Sequence, residues 1–192
     1  MERKQALALV KEQLRPKRYE HTVRVTDTAI SLARHYKLDV KKIEIAAIFH
    51  DYAKYRNPNE MKRWVLSEKL PQDLLEYGPE LLHGPVGSIM IEKEVGIKDP
   101  EIQSAIYYHT TGKRNMSLFD QIIFIADYIE PGRSFPGVEE VRSVVYHDIN
   151  KACWLAARNT IEFLMEHEQP IYPDTFQLYN EGLVKTGRNV NG

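Results

Sequence analysis

Apolar residues recur three and four positions apart along most of this chain, with polar residues on the intervening side, which is the period of a helix. Ala6, Leu7, Val10 and Leu14 form the first such stripe, over residues 2–14, and Pro16 stops it. A second helix is expected from near Arg18, with His21, Val25, Thr28, Ala29 and Leu32 on one side and His21 in the first turn. A third is expected over 40–54, where Ile43, Ala46, Ala47, His50 and Lys54 stack along one face. Asn57-Pro58 then breaks the chain. Further helices are read at 60–67, 72–82 and 85–95, the last with Pro85 at its first helical position. Asp99-Pro100 opens the next, which carries Ile102, Ala105, Ile106 and His109 and ends at Thr111-Gly112. From Met116 or Ser117 the run LFDQIIFIADYIEP is apolar nearly all round and is therefore expected to be buried. Helices at 139–146, 150–166 and 174–184 complete the list, and the tail 185–192 reads as frayed.

No stretch alternates with the period of two that a strand requires; the runs around Ile122 and Val144 keep helical spacing. The expected fold class is all-α: a helical bundle of ten or so helices with short connections. One domain is expected over 1–192, with a site-bearing core at about 18–133 and helices within 137–185 completing the bundle. At 192 residues such a chain buries about 70% of its unfolded surface and needs no staple. Its one cysteine, Cys153, excludes an intramolecular disulfide, reads as a small core residue and fits a reducing cytoplasm. A net charge of −1 gives no whole-molecule field for nucleic acid or a membrane surface, so any phosphate binding must be local. The first fourteen residues carry charges through their apolar pattern, as a helix does and a signal peptide does not. No window approaches eighteen apolar residues, so no membrane span is expected.

The chemistry centres on the run IAAIFHDYAK, residues 45–54, where His50 and Asp51 stand side by side in a segment expected to be buried. A buried carboxylate is costly unless it is paired or bound to a cation. Asp127 poses the same problem inside its apolar helix, with an ion pair to a buried Arg or Lys as the plainer solution. His21 and His109 lie on apolar helix faces, and His83 falls in LLHGP, read as the joint between two helices where Gly84 lets the backbone approach a neighbour. Each histidine alone is ordinarily a core or boundary residue with one hydrogen bond. His35, His147 and His167 sit among charged or amide neighbours and read as solvated surface.

Taken in order, His21, the His50-Asp51 doublet, His83, His109 and Asp127 resemble the pattern of the HD-domain metal-dependent phosphohydrolases: a histidine, a distant His-Asp doublet and a distant aspartate. The resemblance covers roughly residues 18–133. The strings RYEHT, HDYAK, LLHGPVG, YHTTG and DYIEPGR narrow it to the YqeK-type branch, bacterial enzymes that hydrolyse diadenosine tetraphosphate symmetrically. Ala53 and Lys54 stand where the HD hydrolases of guanosine tetraphosphate carry an acidic pair, and the Gly-Tyr-Pro tripeptide of the cyclic-dinucleotide branch is missing.

The resemblance implies two divalent metal ions, with Asp51 bridging, His21, His50 and Asp127 on one ion and His83 and His109 on the other. Imidazole and carboxylate donors without thiolate suit iron, manganese or zinc, and the family favours Fe(II). Two ions about 4 Å apart can hold a hydroxide at neutral pH and neutralise the phosphoryl group it attacks. Asp51, Lys54 and Arg133 are then the expected catalytic residues, the last as a bidentate phosphate clamp after Pro131-Gly132. Lys54 reads otherwise as a solvated lysine at a helix C-terminus. His21, Asp51, Lys54, His83, His109, Thr110, Tyr128 and Arg133 are the expected substrate contacts. Thr110 and Thr111 could equally cap a helix end, and Arg24 could bind phosphate or an acid. Tyr128 and the 170–173 segment, PIYP, offer surfaces for one nucleoside, or ordinary packing. The implied partner is a nucleoside polyphosphate with an ADP-type product, in the cytoplasm, without nucleic acid or membrane; a homodimer is compatible with this reading. A nucleotidase acting on another nucleotide, or a nucleotide- or metal-sensing module, are the alternatives.

Overall fold

The computed structural model describes residues 1–185, and among them the regular structure is entirely helical. Ten α-helices follow one another: α1 (Arg3–Gln13), α2 (Pro16–His35), α3 (Val40–Phe49), α4 (Pro58–Ser67), α5 (Pro79–Met90), α6 (Pro100–Tyr108), α7 (Leu118–Ile129), α8 (Val138–Val144), α9 (Ile149–Glu166) and α10 (Pro173–Lys185). A 3₁₀ turn, Gln72–Glu76, precedes α5, and a π-helical turn, Ile91–Val95, follows it. The all-α expectation therefore holds. The tail expected to fray lies, beyond Lys185, outside the described residues.

Local chemistry sets most helix starts. Pro16, Pro58, Pro79 and Pro100 occupy first helical positions, where their missing N–H costs nothing. Asp39, Asn57, Asp99 and Asp148 accept backbone N–H groups as N-caps, and Ser117 and Asp120 form a reciprocal capping box at α7. The most apolar helix, α7, buries nine of its residues, from Phe119 through Ile129, and packs against α2, α6 and α9. It runs through one contiguous core that also takes Val25 and Leu32 of α2, Phe49 of α3, Met90 of α5 and Leu155 of α9. No helix among the described residues is long and apolar enough to cross a membrane.

Two expectations about helix limits are corrected. The helix expected over 40–54 ends at Phe49; residues 50–55 tighten into turns, with Tyr52 N donating to Phe49 O (3.0 Å) and Lys54 N to Asp51 O (2.8 Å). His83 lies within a continuous α5, not at a joint: the break falls at Gly78, at φ 91°, and Pro85 is inside the helix. A proline there removes one N–H from the ladder, and burial of every residue from Leu82 to Ser88 holds the segment helical all the same.

Candidate metal centre

His50 and His109 occupy equivalent places, each the first residue past the end of its helix, α3 and α6. The last carbonyls of a helix lack intrahelical partners. Each ring uses one: His50 Nδ1 donates to Ala47 O at 2.7 Å, and His109 Nδ1 to Ile106 O at 2.7 Å. His83, in α5, makes the same contact three residues back, with Nδ1 2.5 Å from Glu80 O. His21, in α2, instead donates Nδ1 to the Glu130 carboxylate at 3.0 Å. All four rings thus carry the proton on Nδ1 and turn the Nε2 lone pair the same way, the orientation that metal-binding histidines require.

The Nε2 atoms converge on two carboxylates. His50 Nε2 lies 2.9 Å from Asp51 Oδ2 and His21 Nε2 3.8 Å from the same oxygen, while His83 Nε2 and His109 Nε2 lie 3.2 and 3.9 Å from Asp51 Oδ1. His21 Nε2 is 3.0 Å from Asp127 Oδ1. All six candidate ligands from the sequence therefore meet in one place, and Asp51 divides its oxygens between two sets of histidines. His21, His50 and Asp127 have donor atoms within 4.8 Å of one another, and so do His50, Asp51 and His109.

Such an arrangement opposes acceptor to acceptor. His21 Nε2, His50 Nε2 and Asp51 Oδ1 are buried without a hydrogen-bond partner among the described residues. Unsatisfied atoms of this kind are costly in a core and call for a cation, bound to the lone pairs and balancing the carboxylates. The donor set, imidazole and carboxylate without sulfur, fits a divalent metal. The two carboxylates and His109 are held in the protonation states a metal needs. Burial disfavours the Asp51 carboxylate, but His50, His83 and Arg18 outweigh it and hold the group well below its ordinary range. Asp127 is held low in the same way, against its burial, by His21, Arg133 and His50. Burial, with His83 and His50 adding to it, pushes His109 down to about 3, which keeps that imidazole neutral and ready to bind a metal.

Around the cluster stand the expected cations. Arg133 Nη2 donates to Asp127 Oδ1 at 2.6 Å and its Nε to the Asp127 carbonyl at 3.0 Å. Lys54, 19% exposed, pairs at 2.7 Å with Glu80, whose side chain is 85% exposed. The two threonines part company: Thr110 Oγ1 is 3.1 Å from His109 Nε2, whereas buried Thr111 donates to Gly112 O and is tied to Thr175. Arg24 is an ion-pair partner, with Nε 2.6 Å from Glu130 Oε2. Tyr128 and the PIYP segment line separate grooves.

The family model for the HD domain matches residues 18–132, a span that contains all six converging residues. The chain belongs to the HD-domain family. Within it, the chain is similar to curated proteins named symmetrical bis(5'-nucleosyl)-tetraphosphatase: that of Bacillus subtilis (strain 168), 52% identical over 94% of this chain and 97% of the relative, and that of Halalkalibacterium halodurans, 52% identical over 96% of this chain and 99% of the relative. A crystal structure of a predicted HD superfamily hydrolase from Clostridium acetobutylicum, described as involved in NAD metabolism, superposes with a TM-score of 0.91 at 36% identity, covering 96% of this chain and 98% of that one.

Two residues of this HD-domain site are missed when the sequence is read alone. Arg18 places its Nε on Asp51 Oδ2, and Glu130 receives His21, Arg24 and the Gly132 N–H together. Burial opposes the Glu130 charge, yet Arg24, His21 and Gly132 bring its pKa down to about 2. Gly132 leaves room for this pairing, since a Cβ there would lie 2.6 Å from Arg24 Nη2 and push the guanidinium aside. The signals exist: Arg18 is one turn before His21, and Glu130 is one turn after Asp127.

Proposed function

We propose that this HD-domain chain hydrolyses diadenosine tetraphosphate symmetrically to two ADP, using two divalent ions held by His21, His50, Asp51, His83, His109 and Asp127. The observation that carries the reading is the division of Asp51, with one oxygen toward His50 and His21 and the other toward His83 and His109. A carboxylate so placed would serve both ions. The substrate follows from relatives that share about half of the sequence over nearly the whole chain and carry that activity in their names.

When bound, the two ions would supply an activated water and neutralise phosphoryl oxygens. Fe(II) is favoured by the family resemblance; Mn(II) and Zn(II) suit the same donors. The chain's own residues do the rest. Arg18 and Arg133 border the carboxylates on the partly exposed side and present guanidinium groups to phosphate oxygens there. Lys54 can leave its exposed partner Glu80 for a phosphate at little cost, because an exposed ion pair is weak. Thr110 offers a hydroxyl beside His109. One nucleoside enters the groove lined by Thr110, Tyr77, Pro170 and Tyr172, where the two tyrosine rings meet edge-on at 5.0 Å. Catalysis in the cytoplasm fits the single reduced cysteine, which is buried.

The reading is tested by anaerobic reconstitution of chelated protein with Fe(II), followed by metal analysis and chromatography of the products. Two ions per chain and conversion of diadenosine tetraphosphate to ADP are expected. Phosphate release from nucleoside monophosphates, with the dinucleotide left intact, would assign the site to a nucleotidase instead.

A further inference from the structure

The groove beside Tyr172 leaves half of a symmetrical substrate without a place. A second groove, of 470 Å³, shares Thr160 with it. Its volume is within the roughly 300–1,000 Å³ of small-molecule sites. The Tyr128 and Phe135 rings meet in it edge-on, 4.9 Å apart at 80°. Opposite them, α9 contributes Asn159 and Phe163, one turn apart on the same face. Phe163 is 52% exposed, with the His167 ring 4.1 Å from its own.

Two residues of this groove's wall adjoin the metal centre along the chain. Tyr128 follows Asp127 directly, and Phe135 stands two residues after Arg133, whose guanidinium holds Asp127. The groove's amide and guanidinium groups are already engaged: Asn159 Nδ2 donates to the Tyr128 hydroxyl at 3.2 Å, and Arg158 Nη2 is held by Glu140 at 2.7 Å and by Asn159 Oδ1 at 2.9 Å; the carboxylates of Glu162 and Glu166 also line it. What the groove offers besides is ring surface, which stacks on any base.

Resting on the proposed function, we propose that the groove of Tyr128, Phe135, Asn159 and Phe163 is a second nucleoside subsite, which holds the base of the departing ADP. It recognises an aromatic base by stacking, with little reading of the base edge. The symmetrical substrate then spans the metal centre with one nucleoside in each groove, which places its two central phosphates, and not a terminal pair, over the cluster.

The test compares two ligands on the metal-loaded protein by calorimetry. One is diadenosine tetraphosphate with a methylene group in place of its central bridging oxygen; the other is adenosine 5'-tetraphosphate, with four phosphates and one nucleoside. The wild type should bind the first about tenfold more tightly, the effect of one stacked base. Phe163→Ala should erase that ratio and leave the affinity for adenosine 5'-tetraphosphate unchanged, and Phe135→Leu should do the same. Equal affinities in the wild type, or equal weakening of both ligands in the variants, would overturn the subsite. So would an unchanged ratio accompanied by a change in oligomeric state, which would make the groove an interface between copies. Failure of the wild type to form ADP from diadenosine tetraphosphate would sink the proposed function separately, because the binding ratio does not depend on turnover.

Discussion

His83 Nε2 faces His109 Nε2 at 3.0 Å, and both rings donate Nδ1 to a backbone carbonyl three residues back. Two lone pairs held together at that distance by α5 and α6 repel unless a cation lies between or beside them.

Metal should therefore stabilise the fold as well as enable turnover. An ion at a hundredfold excess over its Kd adds about 2.7 kcal/mol, which for a chain of this size raises Tm by about 5–10 °C. Scanning calorimetry of chelated and Fe(II)-loaded protein measures the difference. The gain should shrink as pH falls, because Asp51 raises the proton affinity of His50 against the effect of its burial, and protons then compete with the metal. No shift on loading at neutral pH would remove the metal from this site.

The approach of α5 to α6 depends on Gly84, where an added Cβ would lie 2.7 Å from Tyr107 O and 3.1 Å from Ile106 O. Backbone cannot give way as a side chain can. Gly84→Ala should cost about 1–3 kcal/mol and separate His83 from His109, lowering metal content at the same time. Urea titration and metal analysis of this variant check both effects.

Glu130 supplies an acid-sensitive contribution. Its pKa falls from an ordinary 4.5 to about 2 in the fold, so it stabilises fully above pH 4.5 and loses the effect as pH drops through that window toward 2. The linkage is on the order of 1–3 kcal/mol at neutral pH, screening at the part-exposed Arg24 reducing it. Glu130→Gln should lower the stability of chelated protein near pH 7 and flatten its decline between 4.5 and 2, as read by denaturant unfolding across that range. A variant with the wild-type acid slope would show that other carboxylates govern it.

Asp51 and Lys54 should separate by phenotype. Asp51→Asn should lose metal and turnover together. Lys54→Ala should retain metal and lose about 10–1000-fold in rate, by analogy with the removal of one electrostatic donor. Equal metal loss in both variants would make Lys54 a support for the fold around the centre.

Much of this centre is legible in the chain because the cost of burying charge makes Asp51 and Asp127 conspicuous in apolar helices. Helix period alone puts His21 and His109 on inward faces. The end of α3 at Phe49 is not legible: no glycine or proline follows until Pro58, and the turn at 50–55 arises as His50 and Asp51 pack against α2, α5 and α6. Pro85 misleads for the converse reason, since the rule that puts proline at a helix start yields to the burial of α5. Arg18 and Glu130 escape because a charged residue at a helix end ordinarily faces water; only the assembled fold shows that each holds a buried partner.

Regiochemistry tests the central claim most directly. The metal-loaded enzyme is allowed a single early turnover of diadenosine tetraphosphate in oxygen-18 water, and the nucleotides are separated and weighed by mass spectrometry. Attack of water on an inner phosphorus predicts ADP as the sole nucleotide product, half of it carrying one label. ATP and AMP in equal early yield would contradict the symmetric reaction, even with both metals in place.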